Sequence, residues 1–147
     1  MIKKTSAGIL LFYLKDNKPI FLLLKYSNYW GFVKGLIETG EREVDTIKRE
    51  AMEEANISDI TVLSGFRQVI SYFFKFKGDT ISKQVIFLLG NVNKEQAEKV
   101  KIYFEHQDFK WLGFDEAIKI VKHKNEKELL IKANEFIKEY SKQRRLQ

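Results

Sequence analysis

Apolar positions along this chain change their rhythm several times, and each change marks an expected element. From Thr5 to Leu14 the residues are apolar and β-prone, which reads as a strand. Asp16-Asn17-Lys18-Pro19 breaks that run as a turn, with the chain's only proline at its far edge. Ile20 to Tyr26 is continuously apolar up to Lys25, the pattern of a strand buried on both faces. After Ser27-Asn28, the stretch Tyr29 to Gly35 reads as a short strand entering a loop. The period then lengthens. At about 100° per residue, Val44, Ile47, Ala51 and Ala55 share one arc, so a helix is expected from Glu43 to Ala55 with that arc against the body of the protein. Ile60 to Leu63 and Phe66 to Phe76 return to strand, Lys77-Gly78-Asp79-Thr80 is a hairpin-like break, and Ile81 to Leu89 is the returning strand. The polar stretch Asn91 to Lys99 reads as a loop, and Ile102 to Trp111 as a further strand. A helix is expected from Asp115, its N-cap, to His123. A last helix from Asn125 to Tyr140 repeats Leu129, Leu130, Ala133, Phe136 and Ile137 at helical spacing. The basic tail 142–147 is expected to fray.

Strands, one helix, more strands and terminal helices predict an α/β protein with a mixed sheet covered on both faces. A length of 147 residues fits one domain, 1–147, large enough for a real core. Cysteine is absent, which excludes disulfides and thiolate chemistry. The apolar run after the basic start Met1-Ile2-Lys3-Lys4 is short and breaks at Lys15, so it reads as a strand and not a signal segment. No stretch approaches the length needed to span a bilayer, and a cytoplasmic protein is the expectation. Oligomeric state is not legible. The net charge of +6 suits a polyanionic substrate, although a solubilising lysine surface would give the same number.

The helix 43–55 is crowded with carboxylates: Glu43, Glu50, Glu53 and Glu54 collect beside its apolar arc. Acids at i, i+3 and i+4 repel one another and weaken a bare helix. A divalent cation among them would relieve the repulsion, since hard cations prefer oxygen ligands. A Glu-Glu pair alone would read as an ordinary solvated surface. The full spacing of 35–57 is far more specific, because it resembles the Nudix box, G-x5-E-x7-R-E-U-x-E-E-x-G-U with U a bulky apolar residue. Gly35, Glu41, Arg49, Glu50, Glu53, Glu54 and Ile57 fall on its positions. Ala51 is smaller than the usual aliphatic, and Asn56 stands in place of the helix-ending glycine; asparagine is the next best residue for a left-handed terminus.

That resemblance implies an α/β/α sandwich with a central mixed sheet and metal-dependent hydrolysis of a phosphoanhydride. It assigns metal binding to Glu50, Glu53 and Glu54, with Mg2+ as cofactor or Mn2+ in its place. Arg49 is expected as a partner that holds Glu41 or a ligand carboxylate. Gly35 is expected where the loop closes over the site, and Lys34 where a phosphate passes, with a solvated lysine as the alternative. Glu105 is the candidate general base or further ligand; an exposed loop acid would look the same. His106 and His123 make no zinc pattern.

Three further stretches are similar to those of the asymmetrical dinucleoside tetraphosphate hydrolases within that family. They are Trp30-Gly31-Phe32-Val33-Lys34-Gly35, the aromatic strand Ile70 to Gly78, and Glu105-His106-Gln107-Asp108-Phe109-Lys110-Trp111. The likeness implies cleavage of diadenosine tetraphosphate to ATP and AMP. Tyr72 and Phe74, which share a strand face, are the candidates for stacking on adenine, with core packing as the alternative. Lys83 and Lys75 are the candidates for phosphate contacts, or else exposed edge lysines. Val33 departs from the usual proline of the loop. Related readings are an RNA 5′ pyrophosphohydrolase, favoured by the basic charge and Arg144-Arg145, and a nucleoside triphosphate pyrophosphohydrolase. A non-enzyme reading is a catalytically silent nucleotide- or RNA-binding module, which would be expected to lose box glutamates; none is lost.

Overall fold

The computed structural model describes residues 1–102 and 108–145. Strand β1 (Ile2–Lys15) is its axis. One edge of β1 pairs in parallel with β7 (Asp79–Asn91) from Ile2↔Ile81 to Phe12↔Asn91. Its other edge is shared. The first half takes β4 (Val33–Leu36) and the end takes β2 (Lys18–Lys25), both antiparallel. On its far side β2 holds β8 (Asp108–Gly113), and at its end β3 (Trp30–Gly31). Strand β7 carries β6 (Gln68–Phe76) in a hairpin and then β5 (Thr61–Val62). Among the described residues eight strands therefore form one mixed sheet.

Alternation along the strands divides the core in two. Ala7, Ile9, Leu11, Leu22, Leu24, Val33 and Leu88 pack with Ile47, Ala51 and Ala55 of α1 (Glu43–Ala55) on one face. Leu10, Phe12, Phe21, Leu23, Val85, Phe87 and Leu89 pack with Ala117 of α3 (Phe114–Ile120) and with Leu129, Leu130, Ala133 and Ile137 of α4 (Lys124–Arg145) on the other. Removing each such leucine or phenylalanine from water contributes roughly 1.5–3 kcal/mol. The architecture is the expected α/β/α sandwich, and the fully buried Phe21 to Leu24 run is the two-faced strand that its composition predicts.

Several boundaries differ from expectation. β1 starts at Ile2 because β7 offers hydrogen bonds along its whole length. Asn91 to Lys99 is not all loop: Asn93 accepts from the Gln96 N–H at 2.8 Å and starts the short helix α2 (Lys94–Glu98). The N-cap of α3 is Gly113 and not Asp115, which lies in the first turn where the helix dipole favours an acid. α3 ends at Ile120, short of His123. α4 begins at Lys124 and runs past Tyr140 to Arg145, into the first part of the basic tail. Phe66 precedes β6 and packs edge-on against Phe136 at 5.6 Å. Of the strand expected from Ile102 to Trp111, Ile102 is outside any strand, residues 103–107 lie outside the described residues, and β8 covers Asp108–Gly113.

Candidate active site

The acidic helix reaches the sheet through β4. At the end of β4, Ile37 N–H donates to Thr5 O at 3.1 Å, and the chain turns through 38–42 into α1. Arg42 begins the helix, its N–H bonded to Asp45 Oδ2 at 3.0 Å. Two turns on, Arg49 is the hub of the segment. Its Nε and Nη2 grip both oxygens of Glu41 at 2.8 and 3.0 Å, Nη2 also donates to Leu36 O, and Nη1 reaches Glu50 at 2.8 Å and Glu53 at 3.3 Å. Glu41 also accepts from the Glu38 N–H and Thr46 Oγ1, both at 2.9 Å. These donors, Arg49 first, hold the Glu41 carboxyl down at about 2. Arg49 in turn is held charged by Glu41 and Glu50. The crowding that weakens a bare acidic helix is thus offset in part by one guanidinium.

Glu50 lies against Gly35, where a Cβ would run into its carboxylate. Only a glycine lets the strand pass that close. Glu54 is 4% exposed and accepts from the Lys34 backbone N–H at 3.2 Å. The helix therefore presents Glu54 inward, Glu50 against β4, and Glu53 outward, its side chain 59% exposed.

On the opposite face of the sheet lies a cleft of about 370 Å³, walled by Tyr29, Lys34, Tyr72, His123, Asn125 and Glu126. Tyr29 stacks on Tyr26 (5.0 Å, 11°), and His123 stands edge-on to it at 5.6 Å. Lys34 Nζ lies over the Tyr26 and Tyr29 rings at 5.6 and 5.5 Å. Burial pushes the Lys34 ammonium pKa down, while Glu126 and Glu54 act the other way. Burial, then Glu126 and Glu54, raises that of Tyr29; burial, then Tyr29 and Glu126, raises that of Tyr72. Lys83 sits opposite Tyr72 in the β6–β7 ladder and opposite Lys4 in the β1–β7 ladder. Its pKa is lowered by burial and by the like charges of Lys34 and Lys4. Three ammonium groups thus gather where an anion would relieve them.

Residues 3–133 match the model of the NUDIX domain. The chain belongs to the Nudix family. Among its relatives, this Nudix protein is 38% identical over 128 residues to the asymmetrical bis(5′-nucleosyl)-tetraphosphatase of Sus scrofa, covering 83% of this chain and 84% of that one. It is 31% identical over 137 residues to the enzyme of the same name from Caenorhabditis elegans, covering 90% and 95%. The crystal structure of a C. elegans Ap4A hydrolase binary complex superposes with a TM-score of 0.79 at 31% identity, covering 91% and 97%. The chain is a Nudix hydrolase.

Hydrolases of this family depend on a divalent metal. The donor set of the Nudix helix suits one: Glu50, Glu53 and Glu54 offer hard oxygen donors, and Glu54 among them is buried and bonded to the backbone of β4. Glu50 and Glu53 are both drawn onto Arg49, so among the described residues no three acids converge on one point. Of the residues singled out in the sequence, Lys34, Gly35, Glu41, Arg49, Glu50, Glu53 and Glu54 come together at the junction of β4 and α1. Tyr72 lines the cleft on the other face; Phe74 is its neighbour at 6.2 Å and lies outside the cleft walls. Glu105 is outside the described residues. Val33, where proline is usual, is buried under α1. Sequence reasoning missed Tyr29, Asn125 and Glu126, and set His123 aside as no metal ligand. Only the pairing of β3 with β2 and the α3–α4 turn bring these four to Tyr72.

Proposed function

We propose that this Nudix hydrolase cleaves bis(5′-nucleosyl) tetraphosphates asymmetrically, converting diadenosine tetraphosphate and water into ATP and AMP. One observation carries the reading: Lys34 joins the two halves of the site. Its backbone N–H binds Glu54 of the acidic helix, while its side chain lies over Tyr29 in the wall of the aromatic cleft. A nucleoside linked to a phosphate chain needs a base-sized aromatic slot and a cation-holding acidic surface, joined by a cation. The relatives named above share the activity proposed.

In this reading a base stacks against Tyr72 and Tyr29, with Phe74 backing Tyr72. The phosphates run past Lys34 and Lys83 toward α1, and Lys75 belongs to the solvent-facing side of β6. Glu50, Glu53 and Glu54 hold magnesium, or manganese in its place. The bound cation would neutralise phosphate oxygens and lower the pKa of water. Arg49 keeps Glu50 in position and is itself anchored by Glu41. Glu105 is our candidate for accepting the proton of the attacking water. No helix among the described residues is long and apolar enough to cross a membrane, and we place the enzyme with its nucleotide substrates in the cytoplasm.

Product analysis tests this. With magnesium the protein should release ATP and AMP from diadenosine tetraphosphate. The double variant Glu53→Gln, Glu54→Gln should lose more than the roughly 10–100-fold that second-shell changes cost. Turnover unchanged in that variant removes the metal assignment. Release of pyrophosphate from 5′-triphosphate RNA, with the dinucleotide left intact, moves the function to RNA ends.

A further inference from the structure

A carboxylate in the cleft is out of place for a polyanionic substrate. Glu126 lines the same cavity as Tyr29, Lys34 and Tyr72, is half-buried, and has no hydrogen bond or ion pair to another described residue. It lies in the first turn of α4, where the helix dipole tolerates an acid. That accounts for its charge, and not for its place in a cleft wall shared with two tyrosines. Its field reaches both tyrosines and the Lys34 ammonium. Near phosphates it would only repel. An acceptor-only group in an aromatic slot gains from a ligand that brings N–H donors to it.

We infer that Glu126 reads the Watson–Crick edge of the base held in this cleft and favours guanine over adenine. Guanine presents two adjacent donors, N1–H and the N2 amino group, which match the two oxygens of a carboxylate. Adenine presents one donor beside an acceptor, N1, whose lone pair would face a carboxylate oxygen. The phosphates leave the cleft past Lys34, so the carboxylate meets the base and the cations meet the chain. The inference rests on the tetraphosphate reading and narrows it: guanosine occupies the cleft end of the preferred dinucleotide.

The test separates binding from turnover. Affinities of methylene-bridged, nonhydrolysable analogues of diguanosine and diadenosine tetraphosphate are measured by calorimetry for the wild type and for Glu126→Gln. A bidentate base contact gives roughly tenfold discrimination. The wild type should therefore bind the guanine analogue about tenfold tighter. Glutamine carries one acceptor and one donor, which matches adenine, so the variant should erase or reverse the ratio. An inosine analogue, which keeps N1–H and lacks the N2 amino group, should fall between the two. Equal wild-type affinities, a ratio that Glu126→Gln leaves unchanged, or no binding of either analogue overturns the inference. A preserved guanine preference without hydrolysis of the natural dinucleotides overturns the tetraphosphate reading alone. Hydrolysis without preference overturns the role of Glu126 alone.

Discussion

Gly35 is constrained by a neighbour on another element. The carboxylate of Glu50 occupies the space where any side chain at position 35 would begin. Gly35→Ala should push Glu50 aside while leaving the core intact. Because displacements of about 1 Å near reacting groups can cost on the order of 10²-fold, kcat should fall by about that factor with the thermal midpoint little changed. Steady-state kinetics alongside a melting curve checks both halves. At Glu41 the consequence is one of pH. Its pKa is lowered from the usual 4.5 to about 2, chiefly by Arg49. A depressed carboxyl contributes stability above its unfolded pKa, and that stability is lost as pH falls through the folded one. Replacing Glu41 by Gln should therefore destabilise the protein at neutral pH. The gap from wild type should close between about pH 4.5 and 2, as read from urea midpoints across that range. A gap independent of pH would mean that the Arg49 contact is not the source.

At the scale of elements, the end of α1 shows how a residue other than glycine can close the motif. Asn56 adopts φ 59°, ψ 39°, in the left-handed region. Its N–H binds Met52 O at 3.1 Å, Ile57 N–H binds Ala51 O at 3.2 Å, and Asn56 Nδ2 donates to Lys99 O at 3.3 Å. A left-handed backbone costs an ordinary L-residue roughly 1–2 kcal/mol. Asn56→Ala should lower the unfolding free energy by about that amount, and Asn56→Gly by less, since glycine removes the strain even as the bond to Lys99 is lost. Denaturant titration of the two variants ranks them; equal losses would show that the side-chain bond and not the backbone sets the cost. α1 thus ends where its sequence permits, and Ile57 is buried behind the turn.

At the scale of the molecule, charge is sorted by place. The whole chain carries +6, yet α1 presents a carboxylate cluster. Lys4, Lys34 and Lys83 gather beside the cleft, where burial first and then the charges of Lys34 and Lys4 lower the pKa of Lys83. A polyanion drawn by such a field should feel salt, since the Debye length is about 10 Å at 0.1 M. KM for a tetraphosphate should rise several-fold between about 0.05 and 0.3 M sodium chloride, with kcat nearly constant. A KM indifferent to salt would mean that these lysines do not attract the phosphate chain.

Much of this arrangement was legible in the chain itself. The period of Val44, Ile47, Ala51 and Ala55 determined the helix, the apolar run from Ile20 to Tyr26 determined a strand whose centre, Phe21 to Leu24, is buried on both faces, and the spacing from Gly35 to Ile57 identified the family. These are short-range patterns, set by neighbours a turn or a pleat away. The boundaries that differed were set by partners far along the chain, as where β7 lengthens β1 to Ile2. The cleft is of the same kind. Tyr29, Tyr72 and the pair His123 and Glu126 belong to three separate segments, and no periodicity relates them. Only the folding of β4 between an acidic helix on one face and the α3–α4 turn on the other sets them around Lys34, because contacts across a sheet depend on strand order and register, which local sequence does not encode.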